Sequence, residues 1–337
     1  MSSIRFALCP VLALGLAVLT GEAQAQAAEG GASSHPPAHA HEHPHTAAGD
    51  AHHHDHAAAP GMAEALLRTM PERPRAGERT ELAFTLADAS GRPIQELITH
   101  HARKLHVLIV SDDMQVLGHI HPHDFREPIE DGEANVFFTF PRAGRYLVAT
   151  DFLTEAGPQT VQFLIDVAGS EEPTAVAGNA APPTIRLVEL AEDDRYTNPV
   201  VLQGAEETDG YAVSLQKPDA IKAGAPVSLV YRFTEDGAPV TDLRPYLDAP
   251  LHLAVVKGDL SQLQHEHGTV PGEEHAGGSD HGSGHDGHAS HEYEGPAAFG
   301  PELTATLSFS EPGTYYLFGQ VAHGDRLLIT RFPVEVR

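Results

Sequence analysis

The chain has 337 residues, enough for two ordinary domains, and its 47 Asp and Glu against 21 Lys and Arg give a formal net charge of −26. A surface this acidic repels nucleic acid and anionic lipid and attracts cations, so we exclude nucleic-acid binding. Histidine is the compositional outlier, with 24 residues. The composition therefore favours metal ions as binding partners.

The N-terminus has the pattern of a secretory signal peptide over residues 1–27. The basic residue Arg5 precedes an apolar run over 6–19, and small residues at 23–27 fit a cleavage site. The run is too short to span a membrane, so we predict a periplasmic or secreted protein with no membrane insertion after cleavage. Because the one cysteine, Cys9, lies within this segment, the mature chain would contain no disulfide and no thiolate metal ligand.

Residues 28–61 form a segment of Ala, Gly, Pro and His that contains nine histidines and almost no bulky apolar residue. Such a composition cannot build a core, so we predict a disordered arm. The arm is either a polar linker that happens to be rich in histidine or a tail that collects metal ions with low specificity. The bias toward histidine favours the second interpretation.

Residues 62–168 read as short alternating or apolar runs separated by Gly, Pro and Asp, which predicts β-strands joined by turns. A helical turn is expected only near 63–67. The predicted strands are 81–86, 105–110, the stretch that leads into His119, 135–140, 145–151 and 161–167. Strands of this length and spacing predict an Ig-like antiparallel β-sandwich.

The same plan recurs after a linker that is rich in Ala, Pro and Glu, predicted over 169–184. The offset between equivalent residues is 146 from Gly91/Gly237 to His121/His267 and 169 at Gly144/Gly313. The 23 extra residues fall in a loop over 268–298 with five histidines, which we predict to be mobile. We therefore predict an all-β protein with two tandem Ig-like sandwiches, the second over 185–337.

Each repeat carries the same histidine triplet on a predicted hairpin. In both copies the second histidine follows the first by thirteen residues and the third follows by two more, giving His106, His119 and His121, then His252, His265 and His267. Hairpins with turns at 112–113 and 258–259 would place the first two histidines of each triplet directly opposite one another. Because side chains alternate along a strand, all three then project from one face.

Three imidazoles on one face of a hairpin are a reasonable first shell for a metal ion. Without cysteine and with few methionines, the ligand set favours Zn(II) or Cu(II). We predict Asp151 as a fourth ligand for the first triplet. In the second triplet Gln320 stands in the place of Asp151, so that site would stay three-coordinate or take His323 or a histidine of the loop as its fourth ligand. A single histidine near an apolar strand is more often structural than a ligand, but the repeated spacing favours metal binding.

Other residues carry weaker signals. His100, His101 and His123 flank the first triplet and could serve as entry or alternative ligands. Tyr146 and Tyr315, each two positions after a glycine, are expected to be core or corner tyrosines of the sandwiches. No phosphate-binding loop, nucleophile elbow or Ser/His/Asp constellation stands out, so we predict no catalytic residues.

The signal peptide, the His-rich tail, the strand-borne Leu-His motif, the His-x-His motif and the later Gly-x-Tyr strand together resemble a known type of protein. They are similar to the Ig-like periplasmic proteins of heavy-metal resistance, in particular copper-resistance-protein-C-like and YtkA-like domains. The resemblance covers both repeats. It implies binding or ferrying of copper or another divalent metal outside the cytoplasm, without catalytic turnover.

From these observations we predict an exported protein that binds divalent Cu or Zn for metal homeostasis or resistance. A protein partner, if there is one, would be a metal efflux system or a metallochaperone. One alternative is a metalloenzyme with an open three-histidine site, similar to superoxide dismutase or a hydrolase. The other is an Ig-like interaction module that binds its partner without metal.

Overall fold

The computed structural model describes residues 63–169, 183–191, 195–202, 208–273 and 293–337. Four predicted segments lie wholly or largely outside these residues, namely the signal peptide 1–27, the arm 28–61, the linker 169–184 and the loop 268–298. Within the described residues, no helix has the length and apolar character needed to cross a membrane.

The first repeat folds into antiparallel strands, with a short 3-10 helix at Pro122–Phe125. Its strands are β1 (Glu64–Met70), β2 (Arg79–Ala87), β3 (Leu105–Ser111), β4 (Val116–Ile120), β5 (Ile129–Glu130), β6 (Glu133–Thr139), β7 (Gly144–Thr154) and β8 (Gly157–Val167). The helical turn expected near 63–67 is wrong, because this segment belongs to β1 and pairs along its length with β2.

In the second part of the chain, two additional strands precede the domain, whose longer strands repeat the order of the first. Its strands are β9 (Thr184–Glu189), β10 (Val200–Val201), β11 (Tyr211–Gln216), β12 (Pro226–Glu235), β13 (Ala238–Pro239), β14 (Leu251–Lys257), β15 (Leu263–Gly268), β16 (Glu302–Ser308), β17 (Gly313–His323) and β18 (Arg326–Val336). The prediction of an all-β fold with two Ig-like antiparallel sandwiches is confirmed.

Each sandwich consists of an outer and an inner sheet. The outer sheets have the order β1-β2-β6-β5 in the first domain and β11-β12-β13, with β16 also on β12, in the second. The inner sheets have the orders β10-β4-β3-β7-β8 and β15-β14-β17-β18-β9. Each domain has its own core between its two sheets, and both domains lie within one compact unit.

A third apolar core joins the two inner sheets. It combines side chains of both domains, among them Leu108 and Leu147 of the first and Val256, Phe318 and Ile329 of the second. The two domains therefore pack face to face through their inner sheets.

Strand β3 shows the effect of this packing on burial. On β2, buried and partly exposed residues alternate, as expected for a strand with one face toward a core. On β3 every residue is buried, because Val107 and Ile109 enter the core of the first domain while Leu108 and Val110 enter the core between the domains. The outward face of β3 is thus covered by the second domain.

The hairpins that carry the triplets have a register two residues away from the predicted one. Leu108 pairs with His119 on β3 and β4, and His252 pairs with His267 on β14 and β15. The prediction that the first two histidines of each triplet lie directly opposite one another is therefore wrong. A shift of two residues keeps each side chain on its predicted face, so each triplet still shares one face.

Both turns use the predicted residues 112–113 and 258–259, since the N–H of Met114 donates to the Ser111 carbonyl oxygen and that of Leu260 to the Lys257 carbonyl oxygen, each at 2.9 Å. The register shifts because each loop continues for two further residues before the second strand. The first added residue, Met114 or Leu260, has a positive φ, 56° and 62°, where a side chain costs roughly 1–2 kcal/mol. Both side chains enter the core between the domains. Full burial of such a side chain contributes about 1.5–3 kcal/mol, which offsets the backbone strain.

The chain does not divide into domains cleanly at residue 185. Strand β9 lies at the edge of the second inner sheet beside β18, but β10 pairs with β4 of the first domain. In addition, the N–H of Leu202 donates to the carbonyl oxygen of Gln115 at 2.7 Å. A segment from beyond the predicted linker thus completes the edge of the first inner sheet.

Tyr146 and Tyr315 occupy equivalent corners of the two sandwiches, as the sequence indicates. The Tyr146 hydroxyl donates to the carbonyl oxygen of Arg142 at 2.9 Å, and the Tyr315 hydroxyl donates to that of Glu311 at 3.0 Å. Each bond reaches a carbonyl oxygen four residues upstream, as in the tyrosine corner of Ig-like sandwiches.

We expect Tyr146→Phe to lower the free energy of unfolding by about 1 kcal/mol, because the Arg142 carbonyl loses its donor. Tyr231→Phe is the matched control, since the buried Tyr231 hydroxyl has no hydrogen-bond partner among the described residues. Urea-induced unfolding measures both variants. Equal destabilisation by the two substitutions would contradict the assigned role of the Tyr146 bond.

Candidate metal centre

The first triplet lies on the outward face of the first inner sheet. His106 is on β3, His119 is on β4, and His121 follows β4 directly as the N-cap of the 3-10 helix. Strand alternation places His106 on the same face as Leu108, toward the second domain. All three side chains are buried, with exposed fractions of 0%, 0% and 1%.

One nitrogen of each imidazole converges on a common point. His106 Nδ1 lies 3.1 Å from His119 Nε2 and 3.2 Å from His121 Nε2. A tetrahedral metal ion with bonds of about 2.0–2.1 Å would hold its nitrogen ligands about 3.3 Å apart. The three buried histidines thus have a spacing that could hold a metal ion.

The other nitrogen of each ring meets an oxygen atom. The pairs are His106 Nε2 with the His100 carbonyl at 3.0 Å, His119 Nδ1 with Gln320 Oε1 at 2.7 Å, and His121 Nδ1 with Asp124 Oδ2 at 2.8 Å. These oxygens only accept hydrogen bonds, so each outward nitrogen carries the proton of a neutral ring. The inward nitrogens then present lone pairs, and such an outer arrangement typically orients metal-bound histidines.

Burial keeps these rings neutral. Desolvation lowers the pKa of His106 and His119 well below the ordinary value, and the neighbouring imidazoles lower it further. Desolvation also lowers the pKa of His121, against an opposing effect of Asp124. Neutral imidazole is the form that binds a metal ion.

The second triplet has a related but looser geometry. His252 Nδ1 lies 3.3 Å from His265 Nε2, while His252 Nε2 lies 2.7 Å from the carbonyl oxygen of Tyr246. The His267 ring centroid is 4.7 Å from the centroids of both His252 and His265. Desolvation lowers the pKa of His252 and His267 well below the ordinary value.

Asp151 contacts the second triplet rather than the first. It pairs with His106 across β3 and β7, but its Oδ2 lies 2.9 Å from Nδ1 of His265. Burial raises the pKa of Asp151, but the hydrogen bond and charge of His265, with the Thr160 hydrogen bond, bring it below the ordinary value. Asp151 is therefore placed to orient His265, not as the fourth ligand predicted for the first triplet.

This contact has a counterpart related by the internal repeat. Gln320 of the second domain stands in the position of Asp151 and accepts the hydrogen bond from His119 of the first domain. Each domain thus supports the middle histidine of the other domain's triplet. Asp151 supports His265 with a carboxylate, whereas Gln320 supports His119 with a neutral amide.

The structure does not bring His323 to the second triplet. Its Nδ1 lies 2.6 Å from the Tyr211 hydroxyl, and its Nε2 lies 3.0 Å from Asp242 Oδ1. Both ring nitrogens are therefore engaged elsewhere, which removes the basis for predicting His323 as a ligand.

The histidines that flank the first triplet separate into two groups. His101 stacks on His267 with ring centroids 3.6 Å apart, and His100 lies 5.9 Å from His267, so both approach the second domain's triplet. Burial lowers the pKa of His101 to about 3. His123, in contrast, is exposed on the 3-10 helix.

The two triplets face each other across the domain interface. The His265 ring centroid lies 4.9 Å from that of His106 and 5.0 Å from that of His119. One ring nitrogen each from His119, His252 and His265 lie within 4.8 Å of one another, a second grouping that could hold a metal ion. The sequence predicted two separate sites, whereas the structure forms one cluster.

Asp124 belongs to the site through its contact with His121, although it was not among the predicted ligands. A signal was present, because His121, Pro122 and Asp124 match a helix start with proline in the first turn and an acidic residue at the third position. No comparable sequence pattern predicts the position of the Tyr246 carbonyl oxygen, since this position depends on the path of the loop before β14.

A family profile described as "Domain of unknown function (DUF8832)" matches residues 61–169 and 206–337, which correspond to the two repeats. No curated protein matches the chain significantly.

Solved structures give weak likenesses. The Escherichia coli adhesin FdeC is 11% identical with a TM-score of 0.22, over 83% of this chain and 65% of FdeC. Red sea bream transglutaminase is 9% identical with a TM-score of 0.21, over 83% and 32%. A Salmonella alpha-2-macroglobulin mutant is 15% identical with a TM-score of 0.22, over 83% and 15%. The chain spans less than two thirds of each of these structures, and TM-scores this low carry no argument.

Proposed function

The chain belongs to the DUF8832 family, a domain of unknown function, and we propose from its buried histidines that it binds divalent transition metal ions. The observation that carries this proposal is the convergence of three ring nitrogens of His106, His119 and His121. Their outward nitrogens all donate to oxygen atoms, so three lone pairs face one another with no proton between them. A bound cation removes this conflict.

Zn(II) and Cu(II) are the ions that best fit this donor set. All the converging atoms are imidazole nitrogens, which suit these two metals better than Mg²⁺ or Ca²⁺, whose preferred ligands are oxygens. The carboxylates of Asp124 and Asp151 stand behind ligand rings and offset part of the charge of a bound dication. Such carboxylate–histidine pairs also raise the basicity of the ligand.

We further propose that the protein works outside the cytoplasm, in the periplasm or as a secreted protein, in metal homeostasis or resistance. The support is the signal-peptide pattern and the excess of acidic residues, which concentrates cations near the surface. The histidines of the arm and of the 268–298 loop would collect ions, and the buried cluster would hold them more tightly. A metal efflux system or a metallochaperone would be the partner in such a role.

Burial favours retention or transfer of the ion over catalysis at this site. A pocket of about 320 Å³ beside the first triplet is lined in part by Lys104, His121 and Glu127. Its lining does not include His106 or His119, whose side chains are fully buried. The alternative of a metal-independent interaction module has less support, because the sheet faces with the triplets are already covered by each other.

Retention of Zn(II) by the full chain, purified without affinity resin, tests the proposal. After loading and dialysis against a competing chelator, wild type and His123→Ala should retain the same amount of zinc by elemental analysis. His121→Ala should retain less, because a converging nitrogen is lost. His123 is the matched control, since it is exposed and only two positions away. Equal zinc in all three proteins would exclude the first triplet as a tight site.

A further inference from the structure

We propose that the two triplets hold two metal ions as one binuclear centre, assembled from both domains at their interface. This inference rests on the proposed function and extends it from one ion in the first triplet to a coupled pair. It is carried by the facing nitrogens of the second triplet, by a buried histidine nitrogen that has no partner among the described residues, and by the distance between the triplets.

The second triplet repeats the arrangement of facing nitrogens seen in the first. His252 Nε2 faces the Tyr246 carbonyl oxygen, and His265 Nδ1 faces the Asp151 carboxylate, so both of these nitrogens carry protons. In the neutral rings that a metal ion binds, the opposite nitrogens, His252 Nδ1 and His265 Nε2, present lone pairs across 3.3 Å. This is the separation expected for two nitrogens on one tetrahedral ion.

His267 supplies the third nitrogen for the second ion. Its Nε2 is buried and has no hydrogen-bond partner among the described residues. A buried polar nitrogen without a partner is costly unless a ligand satisfies it. Because the ring lies 4.7 Å from both His252 and His265, centroid to centroid, a small side-chain rotation brings this nitrogen to the same ion.

The distance between the triplets makes the two ions neighbours. The grouping of His119, His252 and His265 places one ring nitrogen of the first triplet within 4.8 Å of two nitrogens of the second. The ring centroids of His119 and His265 are 5.0 Å apart, and an ion about 2 Å from a ring nitrogen lies about 3 Å from the ring centroid, so the two ions are at most about 11 Å apart. Two paramagnetic ions at this separation are magnetically coupled.

Hydrogen bonds to the ligand rings make the binding of the two ions depend on both domains. Asp151 of the first domain orients His265 of the second, and Gln320 of the second orients His119 of the first. The first ion is expected to bind more tightly, because all three of its ligands have an oxygen partner and converge within hydrogen-bond distance. The second ion needs the movement of His267.

Electron paramagnetic resonance with Cu(II) tests the pair in the full chain. As Cu(II) is titrated into wild type, a half-field transition or dipolar broadening should emerge with the second tightly held ion, after chelator has removed weakly bound copper. Loading with an excess of Zn(II) and a trace of Cu(II) should abolish this coupling signal, because few chains then hold two copper ions. Neither measurement requires a variant.

Variants assign the signal to the cluster. His252→Ala and His121→Ala should each lower the retained copper and remove the coupling, whereas His123→Ala and His323→Ala should keep both. Circular dichroism of each variant without metal establishes that the fold is retained.

The outcomes separate the two proposals. Loss of copper in His121→Ala without any coupling signal in wild type would leave the single-ion function standing and overturn the binuclear centre. A coupling signal that survives in His252→Ala would also overturn it, since the pair would then lie outside the cluster. Unchanged copper retention in both His121→Ala and His252→Ala would overturn the proposed function itself.

Discussion

Substitution of His119 by alanine should weaken Zn(II) binding to the buried cluster by more than about 100-fold, because even outer-shell substitutions cost about 10–100-fold. His119 belongs to both groupings of nitrogens that could hold a metal ion. Its loss therefore removes a direct ligand from the first ion and a close neighbour from the second. Competition titration against a chromophoric zinc chelator measures the change.

His323→Ala is the control for loss of a hydrogen-bonded imidazole away from the cluster, since His323 contacts Tyr211 and Asp242 instead of the triplets. Its zinc affinity should match that of wild type. Without metal, His119→Ala should lower the free energy of unfolding in urea by no more than about 1 kcal/mol, the usual cost of one lost hydrogen bond. The substitution also relieves the facing lone pairs, which limits the loss. A zinc affinity within a few-fold of wild type would remove His119 from the site.

Substitution of Phe318 by alanine should lower the free energy of unfolding by about 3–5 kcal/mol, the usual cost of truncating a buried phenylalanine. Phe318 lies on β17 in the core between the domains and is fully buried. Because this core holds the inner sheets face to face, the same variant should also loosen the approach of the two triplets. We expect weaker zinc binding and a smaller Cu(II) coupling signal in Phe318→Ala.

Phe309→Ala separates the loss of stability from the loss of zinc affinity. Phe309 is also fully buried, but it belongs to the core within the second domain. It should destabilise the protein by a similar amount in urea-induced unfolding. Under conditions where both variants stay folded, zinc affinity should fall only in Phe318→Ala. A similar loss of affinity in both variants would mean that the site responds to general destabilisation rather than to the interface.

Much of this fold follows from alternation and repetition along the chain. Runs such as 82–86 alternate between large apolar residues and small ones, and the recurrence of Leu-His at positions 105–106 and 251–252 indicates the duplication. Because the side-chain period of a strand is two residues, the common face of each triplet was predictable even though its register was displaced by two.

The pairing of the two domains was not predicted, although β3 and β14 carry a sign of it. Positions 107–110 and 253–256 are continuous apolar runs, typical of strands buried on both faces. Such a run shows that something covers the second face but does not identify the covering surface. The partners of His119 and His265 come from the other domain, so Gln320 and Asp151 could be assigned only once the interface was known.

The turns show how the interface also affects local structure. Turn propensity predicts Gly258-Asp259 at the tip of the second hairpin, and these residues form the turn, which the N–H of Leu260 closes on the carbonyl oxygen of Lys257. The loop then continues through Leu260, whose side chain is buried between the domains. This longer loop sets the strand register, and because its burial depends on the other domain, it could not be predicted from patterns within one repeat.

The reciprocal support of His119 by Gln320 and of His265 by Asp151 has the form of an isologous dimer contact, in which the same patch on two copies meets itself. In this protein both copies belong to one chain. Two separate copies would have to meet in solution, and assembly of the histidine cluster would then depend on protein concentration. Covalent connection replaces that dependence with an effective concentration on the order of millimolar for a short linker. The cluster can therefore assemble in a dilute compartment, and the two halves are free to diverge, as the carboxylate at 151 and the amide at 320 have done.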